Sequence, residues 1–224
     1  MSEDLRLAEV DVDGALEEAI ATLHGETRAT FLRRAVVGGA ALLAASATPA
    51  EAAIDSRDVA ILNYALTLEY IQEVFYGEVE RIGALTGGLA EQARVVGAHE
   101  RAHVKAFRAV LGDRAVKRPR FDFRGATESA DRFRRTAVAF EDLAVAAYKG
   151  QAPLIQRRAY LVPALAIHTV EARHAAWIRR LAGITPAADA FDQPRSKHST
   201  LGIVAATKFE VMKPSSRRRP RFTG

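Results

Sequence analysis

Two Glu-x-x-His motifs, about seventy residues apart, constrain the fold of this chain more than any other feature of its sequence. The first pairs Glu100 with His103, and the second pairs Glu171 with His174. Residues three apart project from the same face of an α-helix, so each motif presents a carboxylate and an imidazole to one point in space. This geometry suits a metal ion, and it predicts that both motifs lie on helices.

A single glutamate in an apolar context precedes each motif by about thirty residues. These glutamates are Glu69 and Glu141, and each is followed at seven residues by a tyrosine, Tyr76 or Tyr148. The chain therefore reads as two helical hairpins of like design, each with one inward glutamate on its first helix and a Glu-x-x-His motif on its second. Four helices that contribute these groups provide the ligands of a dinuclear carboxylate site inside a bundle.

The four carboxylates imply cations, because burying even one unpaired carboxylate costs several kcal/mol. Taken singly, each residue has a simpler explanation: the motif is common on charged helix faces, and a buried histidine is usually a hydrogen-bonded core residue. Together, six such residues at matching spacing favour a shared metal site over the separate simpler explanations. With neutral imidazoles completing the shell, the pattern favours two divalent ions, iron or manganese. The predicted ligands are Glu69, Glu100, His103, Glu141, Glu171 and His174.

The composition is that of an ordinary globular protein with one core. The chain has 224 residues, of which 49% are apolar and 26% are charged, and it has no cysteine. A thiolate metal site is therefore excluded. The formal net charge of +5 is concentrated in a basic tail, Arg217 to Arg221. Because that charge is terminal, a solvated tail is the better interpretation, and no nucleic-acid partner is expected.

Residues 1–52 are predicted to be an acidic leader followed by an export signal. A basic stretch at 27–34 precedes a weakly apolar run at 35–47 and then an Ala-x-Ala step, which is typical of a twin-arginine signal peptide. The twin-arginine motif is imperfect, since Ala29 stands where the second arginine belongs. The run is far shorter than the roughly 20 residues that span a bilayer, so no stable membrane span is expected in the mature chain. Cytoplasmic residence is the alternative.

The first hairpin is predicted to begin at a cap on Ser56 or Asp58, to turn at 86–88 and to end at Gly112. The basic segment that follows, 113–126, has proline and glycine but no helical period. Its length indicates a crossover instead of a tight turn. Phe121 and Phe123 are predicted to anchor the crossover to the bundle.

The second hairpin is predicted to open at Thr127–Glu128 and to turn at 149–153, with Pro153 in the first turn of the fourth helix. Pro163 should kink that helix. The remainder, residues 185–224, forms a C-terminal extension whose single apolar run, 201–205, is predicted to strap the bundle.

Four further side chains could take part in the predicted site. His99 points about 100° away from its neighbour Glu100, which favours a supporting or surface position over a ligand position. His168, one turn before the second motif, either orients that motif or belongs to the core. Tyr76 and Tyr148 either hydrogen-bond to the carboxylates or fill the core, and core filling is the favoured interpretation.

Residues 57–205 resemble the bacterial ferritin-like domain family, which also includes the plant desiccation-related proteins. The resemblance rests on four segments: 62–70, 99–104, 140–142 with 147–148, and 170–175. It implies an all-α fold, a ferritin-like four-helix bundle of two antiparallel helical hairpins joined by one long crossover, here spanning residues 53–184. It also implies a dinuclear metal site, frequent export and a biochemical role that is mostly unassigned.

Two functions follow as hypotheses. In the first, an exported protein holds two iron or manganese ions and reacts with peroxide or dioxygen in stress defence, as an iron oxidase, peroxidase or manganese catalase would. In the second, the chain is a non-catalytic envelope or desiccation-related scaffold whose metal site is structural or vestigial. Storage of iron in a closed shell has less support. The sequence does not choose between iron and manganese or indicate the oligomeric state.

Overall fold

The computed structural model describes residues 55–211, which form five α-helices and no strand within that range. The helices are α1 (Ser56–Ile82), α2 (Gly87–Leu111), α3 (Ala130–Gln151), α4 (Arg158–Leu181) and α5 (Lys197–Thr207). Single 3-10 turns follow α2 and α3, at Gly112–Arg114 and Ala152–Leu154. The predicted export signal, 1–52, and the basic end of the tail lie outside the described residues.

Four of these helices form the bundle. α1 packs mainly against α2, and α3 mainly against α4, while α2 also contacts α4 and α1 also contacts α3. The connection between the two hairpins, 112–129, is much longer than the connection within either hairpin. The predicted all-helical bundle is confirmed. None of the helices in the described part of the chain is both long enough and apolar enough to cross a bilayer.

The first helix is capped by Asp55 and not by either predicted residue, Ser56 or Asp58. Asp55 caps α1, because its side chain accepts a hydrogen bond from the backbone N–H of Arg57 at 2.7 Å. Asp58 is fully buried and accepts hydrogen bonds from the backbone N–H groups of Gln156 and Arg157, at 2.8 and 3.1 Å. These groups immediately precede α4. Asp58 therefore joins the beginnings of two helices instead of capping its own.

The second hairpin also begins later than predicted. Ser129 caps α3, whereas Thr127 is buried and its hydroxyl donates a hydrogen bond to Glu78 on α1 at 2.6 Å. Pro153 lies in the 3-10 turn before α4, and Pro163 lies in the second turn of α4. Asp58 and Thr127 both lie close to a helix start, as predicted, but each hydrogen-bonds to a neighbouring element instead of capping its own helix.

Aromatic packing holds the crossover against the bundle, as predicted. Phe123 is 1% exposed and packs edge-on against Phe75 on α1 and Phe209 in the C-terminal extension, with ring centroids 5.2 and 5.4 Å apart. Phe121 stacks on Phe123 at 5.9 Å. The backbone N–H of Asp122 donates to the carbonyl of Phe209 at 2.8 Å, so crossover and extension are fixed together.

The C-terminal extension lies along α3. The backbone N–H of Arg195 donates to the carbonyl of Ala146 at 2.8 Å, and α5 packs on α3 beyond that contact. The approach at Gly150 leaves no space for a side chain, since a Cβ there would lie 2.0 Å from the Arg195 carbonyl oxygen. Within α5, Val204 faces the core, whereas Leu201 and Ile203 are exposed.

Candidate metal centre

The bundle brings all six predicted ligands together. Glu69 comes from α1 and Glu141 from α3, while the two motifs come from α2 and α4. All four glutamates are completely buried. The two histidines differ, since the side chain of His174 is 3% exposed and that of His103 is 11% exposed.

Apolar neighbours explain why these glutamates face inward. Glu69 shares its face of α1 with the buried residues Ala65 and Leu66. Glu73, one turn further along, pairs with Arg118 at 3.1 Å and is partly exposed. A glutamate flanked by apolar residues one turn away is carried into the core with them, because burial of that stripe determines how the helix is rotated.

One group of ligand atoms surrounds His103. Its Nδ1 lies 3.1 Å from Glu69 Oε2, 3.1 Å from Glu171 Oε1 and 3.6 Å from Glu100 Oε2. One atom from each of these four side chains lies within 4.8 Å of all the others.

A second group surrounds His174. Its Nδ1 lies 3.2 Å from Glu100 Oε1, 3.5 Å from Glu141 Oε2 and 3.7 Å from Glu171 Oε2. One atom from each of these four side chains again lies within 4.8 Å of the other three. The two groups share Glu100 and Glu171, with one oxygen of each carboxylate directed to each histidine.

Each tyrosine reaches the glutamate of the opposite hairpin. The Tyr76 hydroxyl, on α1, donates a short hydrogen bond to Glu141 Oε1, and the Tyr148 hydroxyl, on α3, donates one to Glu69 Oε1. Both tyrosines are buried, so they also fill the core. The favoured interpretation of the sequence missed these hydrogen bonds. The repeated seven-residue spacing was the available signal, but it does not show that the contacts cross between hairpins.

His99 and His168 have different roles. His99 Nδ1 lies 2.8 Å from His174 Nε2, so His99 supports a predicted ligand, as one interpretation of the sequence allowed. His168 stacks on Tyr148 with ring centroids 6.5 Å apart and forms no hydrogen bond with Glu171. Gln92, which sequence reasoning did not single out, is fully buried and its amide nitrogen lies 3.5 Å from the Tyr76 hydroxyl.

Burial raises the pKa of two of the four carboxyl groups, those of Glu100 and Glu141, and so favours their protonated forms. Burial, together with the neighbouring carboxylates, raises the pKa of Glu100 to about 8. Burial likewise raises the pKa of Glu141 to about 7, although His174 partly opposes the shift. Burial would also raise the pKa of Glu171, but the nearby imidazoles of His103 and His174 outweigh it and keep that pKa below its usual range.

The pKa values of His103 and His174, which lie beside the carboxylates, shift in the opposite direction to the pKa of His99. Burial alone would lower the pKa of His103 and His174, but the surrounding glutamates raise both well above the usual value. Burial lowers the pKa of His99 to about 4, and the neighbouring His174 and His103 contribute to this shift. His99 is therefore a neutral imidazole beside the charged cluster.

The donor set fits a pair of divalent ions. Both oxygens of Glu100, both of Glu171, Oε2 of Glu141 and Nδ1 of His174 are buried without a hydrogen-bond partner. Buried polar atoms normally have partners, so a convergent group of unpaired acceptors needs a specific explanation. Carboxylate oxygens with imidazole nitrogens suit iron and manganese, and the absence of cysteine from the chain leaves oxygen and nitrogen as the available donors.

Comparison with protein-family models gives a match over residues 57–183, to a family described as a ferritin-like domain. The matched range covers α1 to α4 and contains all six convergent residues. No curated protein shows significant similarity to the chain.

Proposed function

This chain belongs to the ferritin-like domain family, and we propose that it is an exported protein that holds two iron or manganese ions and reacts with peroxide or dioxygen in stress defence. The proposal rests chiefly on one observation, the two buried ligand groups that share Glu100 and Glu171. Four carboxylates that converge without enough hydrogen-bond donors are stable together only with cations or bound protons.

Each group supplies the ligands for one ion. Glu69 and His103 would hold the first ion, and Glu141 and His174 would hold the second. Glu100 and Glu171 would contribute to both ions, because each directs one oxygen to each group. This gives each ion oxygen ligands and one imidazole nitrogen, in agreement with the preference of iron and manganese.

The chain's own contribution is to hold the ligands and exclude water. When bound, an iron or manganese pair supplies the redox change that reaction with peroxide or dioxygen requires. Tyr76 and Tyr148 fix the two unshared glutamates by donating hydrogen bonds to them. His103 has the most exposed side chain of the six ligands, so its side of the site is the one that solvent reaches.

The alternative is a scaffold protein with a structural metal site, and the complete burial of all four glutamates favours it. A structural site is closed, whereas a reactive one keeps an accessible position. The two functions separate when the loaded protein is mixed with hydrogen peroxide: reactive metal turns peroxide over, and structural metal does not.

Export is supported by the sequence pattern within residues 27–53 alone. N-terminal sequencing of the protein recovered outside the cytoplasm should begin near Ala53. An intact chain beginning at Met1 in the cytosol would contradict export without affecting the metal proposal.

Metal analysis of protein purified without chelator tests the central part of the proposal. We expect about two equivalents of iron plus manganese per chain. The variant Glu171→Gln should lose both ions, because this residue contributes to both groups. Glu73→Gln is the matched control, since Glu73 lies on the outer side of α1, and it should retain both. Less than about one equivalent in the wild type would contradict the proposal.

A further inference from the structure

The two histidine ligands have different surroundings. His174 is almost fully buried, and its Nε2 lies 2.8 Å from Nδ1 of His99, with the two rings nearly parallel at 16°. His103 is the more exposed of the two, and no side chain within residues 55–211 hydrogen-bonds to its Nε2. Of the two histidine ligands, only His174 therefore has a supporting side chain within the described residues.

The hydrogen bond between the imidazoles determines where their protons lie. Nδ1 of His174 faces Glu100 and Glu141, so this nitrogen is the one available to an ion. When Nδ1 is a ligand, the ring proton is on Nε2, and Nε2–H donates to Nδ1 of His99. His99 must then be neutral, with its own proton on Nε2.

Such a partner improves a metal ligand in two ways. It fixes the orientation of the ring, and it selects the tautomer whose lone pair faces the ion. Loss of a supporting hydrogen bond of this kind typically costs 10- to 100-fold in metal affinity. His103 has no equivalent support, so its ring loses more conformational freedom when it binds an ion. Its side chain is also partly exposed to solvent.

We propose that His99 is a positioning residue that makes the His174 half of the centre the tighter position, filled first, and leaves the His103 half as the weaker, exchangeable one. This inference rests on the proposed function, because it presupposes that the cluster binds metal. It adds an order of loading that the symmetric repeat of the sequence does not predict.

Titration of the full chain with Co²⁺, followed by its visible absorption, tests this order. The wild type should bind two ions in separate steps. His99→Phe keeps a flat ring but removes the acceptor, and it should weaken the first step by roughly 10- to 100-fold while leaving the second unchanged. His99→Asn places an acceptor oxygen near the position of Nδ1 and should restore much of the first step.

Three outcomes would overturn the inference while leaving the metal proposal intact: two equal steps in the wild type, no effect of His99→Phe, or an equal loss in both steps. Failure of the wild type to bind Co²⁺ would instead overturn the metal proposal and the inference together. His103→Ala should abolish the second step alone, which identifies the two positions.

A measurement on the wild type covers the case in which a His99 variant does not fold. Imidazole ¹H–¹⁵N spectra of the Zn²⁺-loaded protein report the tautomer of each histidine. We expect protons on Nε2 of both His174 and His99. A proton on Nδ1 of His99 would contradict the proposed hydrogen bond and overturn the inference.

Discussion

Each buried glutamate of the centre must either lose its charge or meet a cation. The residue types and their spacing predicted all six convergent side chains, because a three-residue step on a helix has one geometry and a buried acid needs a counter-charge. The same reasoning missed the hydrogen bonds of Tyr76 and Tyr148. Those bonds join different hairpins, and a periodic pattern within one helix carries no information about which side chain faces it.

Glu141→Gln separates metal binding from stability. The amide oxygen can still accept the hydrogen bond of Tyr76, but the buried charge and one ligand are lost. We expect metal affinity to fall at least about 10-fold. At pH 8, where Glu141 is largely ionised, the free energy of unfolding of the metal-free protein should be unchanged or higher, by up to about 1 kcal/mol, because removing a buried charge relieves its desolvation cost.

Urea unfolding in chelator and metal titration measure these two effects. Glu73→Gln provides the control, since Glu73 is partly exposed and pairs with Arg118 away from the cluster. A clear loss of stability in metal-free Glu141→Gln would show that the carboxylate is structural.

The stability of the metal-free protein should decrease as the pH rises from about 6 to about 8. The folded-state pKa of Glu100 is about 8 and that of Glu141 is about 7. Both lie above the unfolded value of roughly 4.3, so the folded state binds more protons in this window and loses stability as they leave. The raised pKa values of His103 and His174 act in the same direction.

Metal should reverse this dependence, because ions compete with the protons and bind better as the pH rises. Urea midpoints at pH 6 and pH 8, in chelator and in excess Mn²⁺, test the direction of the pH dependence in the metal-free and in the metal-loaded protein. A metal-free protein that is more stable at pH 8 than at pH 6 would contradict the raised pKa values of Glu100 and Glu141.

At the scale of elements, helix interiors were predictable and helix ends were less so. The spans of α1 to α4 follow from apolar periodicity, which depends on each helix alone. Asp58 and Thr127 were assigned to the ends of their own helices, yet both are buried against another element. A capping residue has the same sequence signature whichever backbone N–H it accepts from, so only the packed structure distinguishes the two cases.

Asp58→Ala should therefore cost more than removal of an ordinary cap. It leaves the backbone N–H groups of Gln156 and Arg157 without this acceptor at a buried position. We expect the free energy of unfolding to fall by about 2–3 kcal/mol. Asp55→Ala removes an exposed local cap and should cost about 1 kcal/mol. Equal losses in chemical denaturation would contradict the proposed link between the starts of α1 and α4.

At the scale of the whole molecule, the extension after α4 packs on α3 of the second hairpin. The sequence indicated an apolar run capable of covering the bundle, but not the backbone contact that seats it. That contact depends on Gly150, an unremarkable glycine near the end of a helix whose missing side chain leaves space for the Arg195 carbonyl. A distant segment approaching a glycine leaves no periodic signal.

Gly150→Ala should displace the extension without unfolding the bundle. The new Cβ would lie 2.0 Å from the Arg195 carbonyl oxygen, a contact that only a backbone shift can relieve. We expect faster proteolytic cleavage within 185–196 and a stability loss of about 1–3 kcal/mol. Gly77→Ala is the control, because its Cβ would meet nothing within 4 Å, and it should stabilise α1 by up to about 1 kcal/mol. Identical cleavage of both variants would contradict this role for Gly150.

Anomalous diffraction from crystals of the Mn²⁺-loaded protein tests metal binding by the cluster most directly. We predict two manganese peaks about 3.5–4 Å apart inside the bundle, with Glu100 and Glu171 contacting both. A bundle that binds no manganese between its four buried glutamates, with those carboxylates paired only to histidines and tyrosines, would contradict it.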